Sequence, residues 1–271
     1  MLALFSILAL SAAPDAQTIM NQVAANLARG SDLRAQYVYS QKLHTRLLRT
    51  NSKLTREERR TYNVFPSPQG VEHKLIHFEG QYEKHGKIHP YTDPKFRHKD
   101  LDIDGEFIAD LAEDLVADKN SKDGIDMDLF PFLPKDLPHY TFKLLSSENY
   151  RGRPVHRISF EPVKDDEDAK PWAGEMLIDA EDLHPLSIQT KLTLKIHFLV
   201  KTVLGSDIRQ TGFSLTYTRV APGLWFPATY GTEMRVDVLF GYKRIITLNM
   251  ESSGFRKASA DSSITFETPQ P

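Results

Sequence analysis

The sequence predicts a mainly β protein in which about nine to eleven antiparallel strands form one curved sheet, partly covered by two helices. Three observations support this prediction. Most of the chain after residue 140 alternates apolar and polar residues with a period of two, short turns separate the alternating segments, and only two segments carry apolar residues at helical spacing. Two helices cannot cover the apolar side of ten strands as fully as a second sheet would. The curved sheet is therefore expected to enclose an apolar concavity.

The N-terminal part is predicted to begin with a helix and continue as strands. Asp15 can cap a helix that Gly30 is placed to end. From Ala35 the period changes to two, and further strands are expected at residues 59–65 and 71–78. The segment 80–99 is polar and rich in Lys and His, and it is expected to be a loop.

The second helix is predicted to open near Asp104 and to end before Asn120, and strands fill most of the remaining chain. A hairpin runs from Trp172 through an acidic turn into residues 186–204, where one parity is apolar except at Thr190 and Thr202. This segment is either a very long bent strand or two strands that share a parity.

The ends of the chain differ from the middle. Leu2 to Ala13 carry no charge and end in small residues, which is typical of a secretory signal peptide, although a buried first helix has the same appearance. The predicted organisation is a signal peptide at 1–13, a single domain at 14–258 with a polar insertion around 80–128, and a polar tail at 259–271. An exported, soluble protein is expected.

Composition excludes several classes of function. The 34 basic and 36 acidic residues give a net charge of -2, which offers no electrostatic case for binding nucleic acid. There is no cysteine, so disulfides, thiolate catalysis, zinc–thiolate sites and a lipoprotein anchor are all ruled out.

Three motifs, in this order, carry a resemblance. They are Gln36-Tyr-Val-Tyr39 after the first helix, the hairpin Gly174-Glu-Met-Leu-Ile-Asp179 to His184-Pro-Leu-Ser-Ile188, and Leu224-Trp-Phe-Pro227 before the last two strands. The order resembles the LolA/LolB-like superfamily of periplasmic outer-membrane lipoprotein-sorting proteins, in particular its larger bacterial members. The resemblance implies an unclosed half-barrel with two or three helices in or over its concave face. It also implies a hydrophobic cavity that shields acyl chains.

The function expected from the pattern and the resemblance is that of a periplasmic carrier or binding protein, not an enzyme. Its partner would be an acyl chain of a lipid or lipoprotein, possible further partners are envelope membrane proteins, and a monomer without cofactors is expected. The alternatives are an envelope sensor or assembly protein on the same scaffold, a small outer-membrane β-barrel and a metal-dependent exported hydrolase. The side chains predicted to line the cavity, which could equally be packed core, are Leu186, Ile188, Leu192, Leu194, Ile196, Phe198, Met234, Val236 and Met250.

No residue is predicted to be catalytic or to bind a metal. His85, His89 and His98 are close in sequence, but Gly86 stands where the metalloprotease motif requires Glu. Residues 100–105 copy the start of a calcium-binding loop without its twelfth ligand, and helix capping by Asp104 explains them more simply. His73 and His77 are expected to be half-buried on one strand face. Nucleophile elbows and Gly-rich phosphate loops are missing from the sequence.

Overall fold

The computed structural model describes residues 15–67, 70–116, 132–166, 168–169, 172–192, 207–238 and 242–258. Over these residues the chain forms helices α1 (Ala16–Arg34) and α2 (Ile103–Val116), a 3-10 turn at Leu137–His139, and eleven strands. The strands are β1 (Tyr37–Leu48), β2 (Leu54–Ser67), β3 (Gly70–Lys84), β4 (Lys87–Tyr91), β5 (Tyr140–Tyr150), β6 (Arg153–Pro162), β7 (Trp172–Asp179), β8 (Pro185–Leu192), β9 (Asp207–Ala221), β10 (Leu224–Val238) and β11 (Tyr242–Lys257).

All eleven strands belong to one antiparallel sheet, in the order β4-β3-β2-β1-β11-β10-β9-β8-β7-β6-β5. Every pairing but one joins strands that are neighbours in sequence, and the exception joins β1 to β11 near the middle of the sheet. The sheet is not closed, because β4 and β5 form its two ends. The mainly β, unclosed antiparallel fold and the number of strands are therefore confirmed.

Alternating side chains give the sheet two different faces. We call the side that carries the helices the inner face and the opposite side the outer face. Residues of odd number in β1 point inward, as Leu43 and Leu47 do, whereas Lys42, His44 and Arg46 point outward. The inner face supplies most of the hydrophobic core, and the outer face is polar.

Helix α1 begins where the sequence predicts, and it ends four residues beyond the predicted end. The Asp15 carboxylate accepts a hydrogen bond from the Thr18 backbone amide at 3.3 Å, so Asp15 is the N-cap. Gly30 was expected to end the helix, but the helix continues to Arg34. A Cβ on Gly30 would lie 2.7 Å from Arg34 Nη1, so this glycine makes room for the buried Arg34 side chain.

The expected loop at 80–99 is wrong for its first half. Strand β3 continues to Lys84, and β4 returns along it after a tight turn. His85 and Gly86 form that turn with φ values of 52° and 78°. A short edge hairpin needs no apolar face, which is why its composition is that of a loop.

His73 and His77 do not share a face, contrary to the prediction. A bulge lies between them, since Thr61 pairs with His77 and Tyr62 with Leu75. The His73 ring packs edge-on against Tyr62, and burial lowers the pKa of His73. His77 is exposed and lies 3.2 Å from Glu79.

Candidate functional site

The inner face is the candidate functional site because it is the face on which apolar side chains and both helices meet. Helix α1 covers the half of it formed by the central strands and β5 to β10. Met20, Val23 and Ala24 are completely buried there. They belong to one cluster with sheet residues such as Ile158 and Leu215. This half of the inner face is packed core.

Polar contacts fix α1 to the turn between β7 and β8. The Asn26 amide donates to the carbonyl oxygens of Asp182 and Leu183 at 3.0 and 2.9 Å. The indole nitrogen of Trp225 donates to the Asp182 carboxylate at 2.9 Å, and Arg34 donates to the Trp225 carbonyl at 3.3 Å. Helix α1 is thus held by apolar packing and by hydrogen bonds along its length.

His184 is a buried residue of this turn whose environment the sequence does not reveal. Its ring stacks on Trp225 with centroids 5.6 Å apart, and its Nε2 atom is buried without a hydrogen-bond partner among the described residues. Burial, together with the nearby Arg34 charge, lowers the pKa of His184 to about 3. The imidazole is neutral in the folded protein at every pH above that value.

We expect this histidine to make stability depend on pH. An unfolded histidine takes up a proton below a pKa of about 6.5, whereas folded His184 does not, so stability falls as pH drops from about 6.5 toward about 3. Between neutral pH and pH 5 the parent should lose about 2 kcal/mol of its free energy of unfolding through His184, and His184→Phe should not show this loss. Urea unfolding of the two proteins at several pH values measures the difference. The matched control is His77→Gln, at an exposed histidine, and a pH profile of His184→Phe that differs from the parent no more than that of His77→Gln would contradict the prediction.

Helix α2 covers the other half of the inner face, over β1 and β2, with a smaller apolar contact. The buried members of its cluster are Leu47, Ile108, Met234, Val236 and Ile246. Among these Ile108 alone comes from the helix. Phe107 and Leu111 pack at the border of this cluster, and Leu111 and Ala112 of the same helix also join the α1 cluster. Among the described residues α2 therefore contributes fewer buried side chains than α1.

A buried ionic network joins the start of α2 to the sheet. Arg56, on the inner face of β2, is 1% exposed. It donates to the Asp102 carboxylate at 2.7 Å, to the Tyr91 hydroxyl at 2.7 Å and to the Phe96 carbonyl at 2.9 Å. Tyr91 in turn donates to Glu58 at 2.6 Å, and Arg60 binds the same carboxylate. Arg56, Tyr91, Glu58 and Arg60 thus each have a polar or charged partner, as a buried charge requires.

Asp102 has a second role as the N-cap of α2. It accepts a hydrogen bond from the Gly105 amide at 3.0 Å. The predicted cap, Asp104, is therefore wrong by two residues. Burial acts to raise the pKa of Asp102, but hydrogen bonds from His98 and the Arg56 charge outweigh it and hold this pKa below its usual range. The carboxylate stays ionised, so the contact with Arg56 is an ion pair.

Asp104 instead attaches α2 to the opposite side of the inner face. Arg244 of β11 donates to its two carboxylate oxygens at 2.9 and 3.2 Å, and the Tyr242 hydroxyl donates to the same group. The first turn of α2 therefore lies between an ion pair with β2 and another with β11. Polar contacts, more than apolar packing, position this helix.

The predicted cavity-lining residues divide between the two halves of the inner face. Ile188 lies in the α1 cluster, with Leu186 and Met250 packed at its border. Met234 and Val236 lie in the α2 cluster. Leu192 ends β8, with nothing described of its side chain, and Leu194, Ile196 and Phe198 lie outside the described residues. That these side chains contact a ligand remains a prediction.

The histidines considered as metal ligands do not converge. His85 is exposed at the β3–β4 turn, whereas His89 and His98 lie near the Tyr82 ring, with centroids 5.4 and 5.1 Å from it. Within the described ranges, no three His, Asp or Glu side chains are placed to hold a metal ion. The acidic turn after β6 contains Asp166, which lies 2.8 Å from His139 and raises the pKa of that histidine.

An apolar groove of about 530 Å³ opens beside α1. It is lined by Ile19, Ala180 and Leu183, with polar residues of α1 and His156 at its rim. In the described part of the chain, no helix is long and apolar enough to cross a membrane.

Sequence comparison finds no match, either to a protein-family model or to a curated protein. Comparison of structures finds similar proteins. A DUF1329 family protein from Desulfovibrio piger is 12% identical with a TM-score of 0.36, over 93% of this chain and 96% of that one. A domain described as an outer membrane lipoprotein-sorting protein, from Vibrio parahaemolyticus, is 11% identical with a TM-score of 0.32, over 90% of this chain and 95% of that one.

A LolA superfamily protein from Nitrosomonas europaea is also similar, at 10% identity and a TM-score of 0.32, over 91% of this chain and 95% of that one. The resemblance to the LolA/LolB-like superfamily found in the sequence is thus found again among solved structures. At these identities and TM-scores the likeness carries no argument about a ligand.

Proposed function

We propose that this protein is an exported, non-enzymatic carrier that holds acyl chains of a lipid or lipoprotein against the inner face of its sheet, beneath α2. The periplasm is the proposed compartment, and transfer of lipoproteins or lipids through the envelope is the proposed process. The proposal rests on the residues of the chain itself.

The observation that carries the proposal is the unequal apolar packing beneath the two helices, because polar contacts anchor the first turn of α2 and leave the contact beneath the rest of it small. The contact under α2 consists of a few apolar side chains, with Ile108 between β1, β10 and β11. An acyl chain could replace that contact and bury its own methylenes at about 0.8 kcal/mol each. Displacing α1 would expose a far larger cluster, so the α2 half is the better site for a ligand.

Mass spectrometry of organic extracts tests the carrier proposal most directly. The mature protein is purified from its own envelope without detergent, and a stoichiometric acylated species is expected in the extract. A clean extract, together with no saturable uptake of a fluorescent fatty acid, would overturn the proposal and leave the inner face as packed core.

Filling the α2 half of the inner face should weaken this uptake. Met234→Trp adds an indole next to Val236, in the space proposed for the acyl chain. If the indole displaces two methylenes of the bound chain, the Kd for a fluorescent fatty acid should rise about tenfold. The matched control is Arg235→Trp, one residue along the same strand on the outer face, with a side chain 64% exposed. Equal affinities for the two variants would place the acyl chain elsewhere.

A further inference from the structure

We propose that the outer face of the sheet carries a second binding site, for an oxyanion borne by a hydroxyl-rich group, centred on Arg46. This inference is independent of the proposed carrier function. The site lies on the side of the sheet away from both helices, in a polar trough that the acyl-chain proposal does not use.

The trough consists of two adjoining depressions of about 450 and 580 Å³ that share Ser214, Gly231 and Asn249. These three residues occupy one row across neighbouring strands, because Gly231 pairs with both Asn249 and Ser214. The row continues to His44 on one side and to Gln189 on the other. Small side chains at the centre and longer ones at the sides give the trough its depth.

Arg46 lies in the trough wall with its charge unmatched. It is half-buried, and it makes no ion pair or hydrogen bond with any part of the chain that the structure describes. Its cross-strand neighbour Glu57 would be the natural partner. That carboxylate is already occupied by His44 at 2.5 Å, by Arg59 at 2.6 Å and by the Gln81 amide.

A second polar group beside Arg46 is also unsatisfied. Thr247 is the cross-strand neighbour of Arg46 on β11 and lines the same depression. Its hydroxyl oxygen is buried without a hydrogen-bond partner among the described residues. A buried hydroxyl without a partner is costly, and a guanidinium with a hydroxyl beside it is a fitting donor set for a carboxylate or phosphate oxygen.

The rest of the trough defines what else the ligand carries. Asn249, Gln189 and Ser214 present neutral amides and a hydroxyl, which suit ligand hydroxyl groups. Glu233 stands on the far wall and Glu251 at one end, so a second anionic group there would be repelled. The chemistry therefore fits one oxyanion attached to a polyol, either a soluble acidic sugar or the glycerol phosphate of a lipid headgroup.

Calorimetric titration with glucuronate and with glycerol 3-phosphate tests the site, with glucose and glycerol as neutral probes. We expect at least one of the two anions to bind once per chain and neither neutral probe to bind. Arg46→Gln should weaken that binding about tenfold or more. In Ser214→Tyr the added ring occupies the trough floor and should prevent the anion from binding. Neither variant should change fatty-acid uptake by the inner face. Arg157→Gln is the matched control, since Arg157 is on the outer face but paired with Glu148 and away from the trough.

Binding of phosphatidylglycerol vesicles that is lost in Arg46→Gln would identify the source of the oxyanion as a lipid headgroup. Binding of the soluble probes without vesicle binding would identify it as a soluble molecule. If neither anion binds at about 10 mM, a concentration at which even a weak millimolar site would fill, the proposal is wrong. It is equally wrong if Arg46→Gln and Ser214→Tyr, both folded by thermal melting, bind the probes as the parent does.

Discussion

Replacing Arg56 by methionine is expected to lower the free energy of unfolding by about 3–5 kcal/mol. The change keeps an unbranched side chain in β2 but removes the charge that faces Asp102 and Glu58, which are both buried. Asp102 would then lack its guanidinium partner in a medium of low polarity, and Glu58 would keep only that of Arg60. Urea unfolding of the variant and the parent at neutral pH measures the loss.

Arg59→Met provides the matched control. Arg59 is three residues along the same strand on the outer face, where its side chain is 52% exposed and pairs with Glu57 at 2.6 Å. Because Arg59 is exposed and Glu57 keeps its contacts with His44 and the Gln81 amide, the loss should be at most about 1 kcal/mol. If the two variants lose similar amounts of stability, the network around Arg56 does not hold α2 as the contacts indicate.

Substituting alanine for Gly174 should be comparably severe, at about 3 kcal/mol or more. A Cβ at this position would lie 1.9 Å from the Gln189 carbonyl oxygen, which is backbone and cannot rotate away. On the other side of β8, a Cβ on Gly212 would lie 2.3 Å from the Thr190 carbonyl oxygen. The two glycines thus let β7 and β9 approach the backbone of β8 closely from both sides.

Gly152→Ala separates this steric effect from the conformational preference of glycine. Gly152 lies in the β5–β6 turn with a φ of 83°, and no atom would come within 4 Å of its Cβ. Its substitution should therefore cost only the strain of the left-handed backbone, about 1 kcal/mol. Thermal and urea unfolding compare the two variants, and equal losses would mean that the close approach at Gly174 is relieved without strain.

The sheet was predictable from sequence wherever its two faces differ in polarity. Strands such as β9 and β11 alternate apolar and polar residues because one face packs in the core and the other meets solvent. The end of β3 and the whole of β4 have no such contrast, and they were missed for that reason. The limits of the two helices were displaced because Gly30 and Asp102 act through contacts with Arg34 and Arg56, which no local pattern reports.

The polar part of the candidate site could not be found in the same way. The segment from Arg56 to Arg60 has the composition of a solvated strand, yet Arg56, Glu57 and Glu58 are buried. Arg56 and Glu58 are buried against Tyr91 and Asp102, which are 35 and 46 residues distant from Arg56 in sequence. A charged residue that faces solvent and one that faces a buried partner look alike until the fold brings the partner to it.

The pairing of β1 with β11 has a consequence for how the protein is made. The other strand pairs join segments close in sequence, but this one joins Tyr37 to Lys257 at the centre of the sheet. Hairpins on either wing can form while the chain is still being synthesised or translocated, and the contact of largest sequence separation must wait for the last strand. Until then two half-sheets expose their apolar sides. During this interval the nascent polypeptide is most open to aggregation and to chaperones.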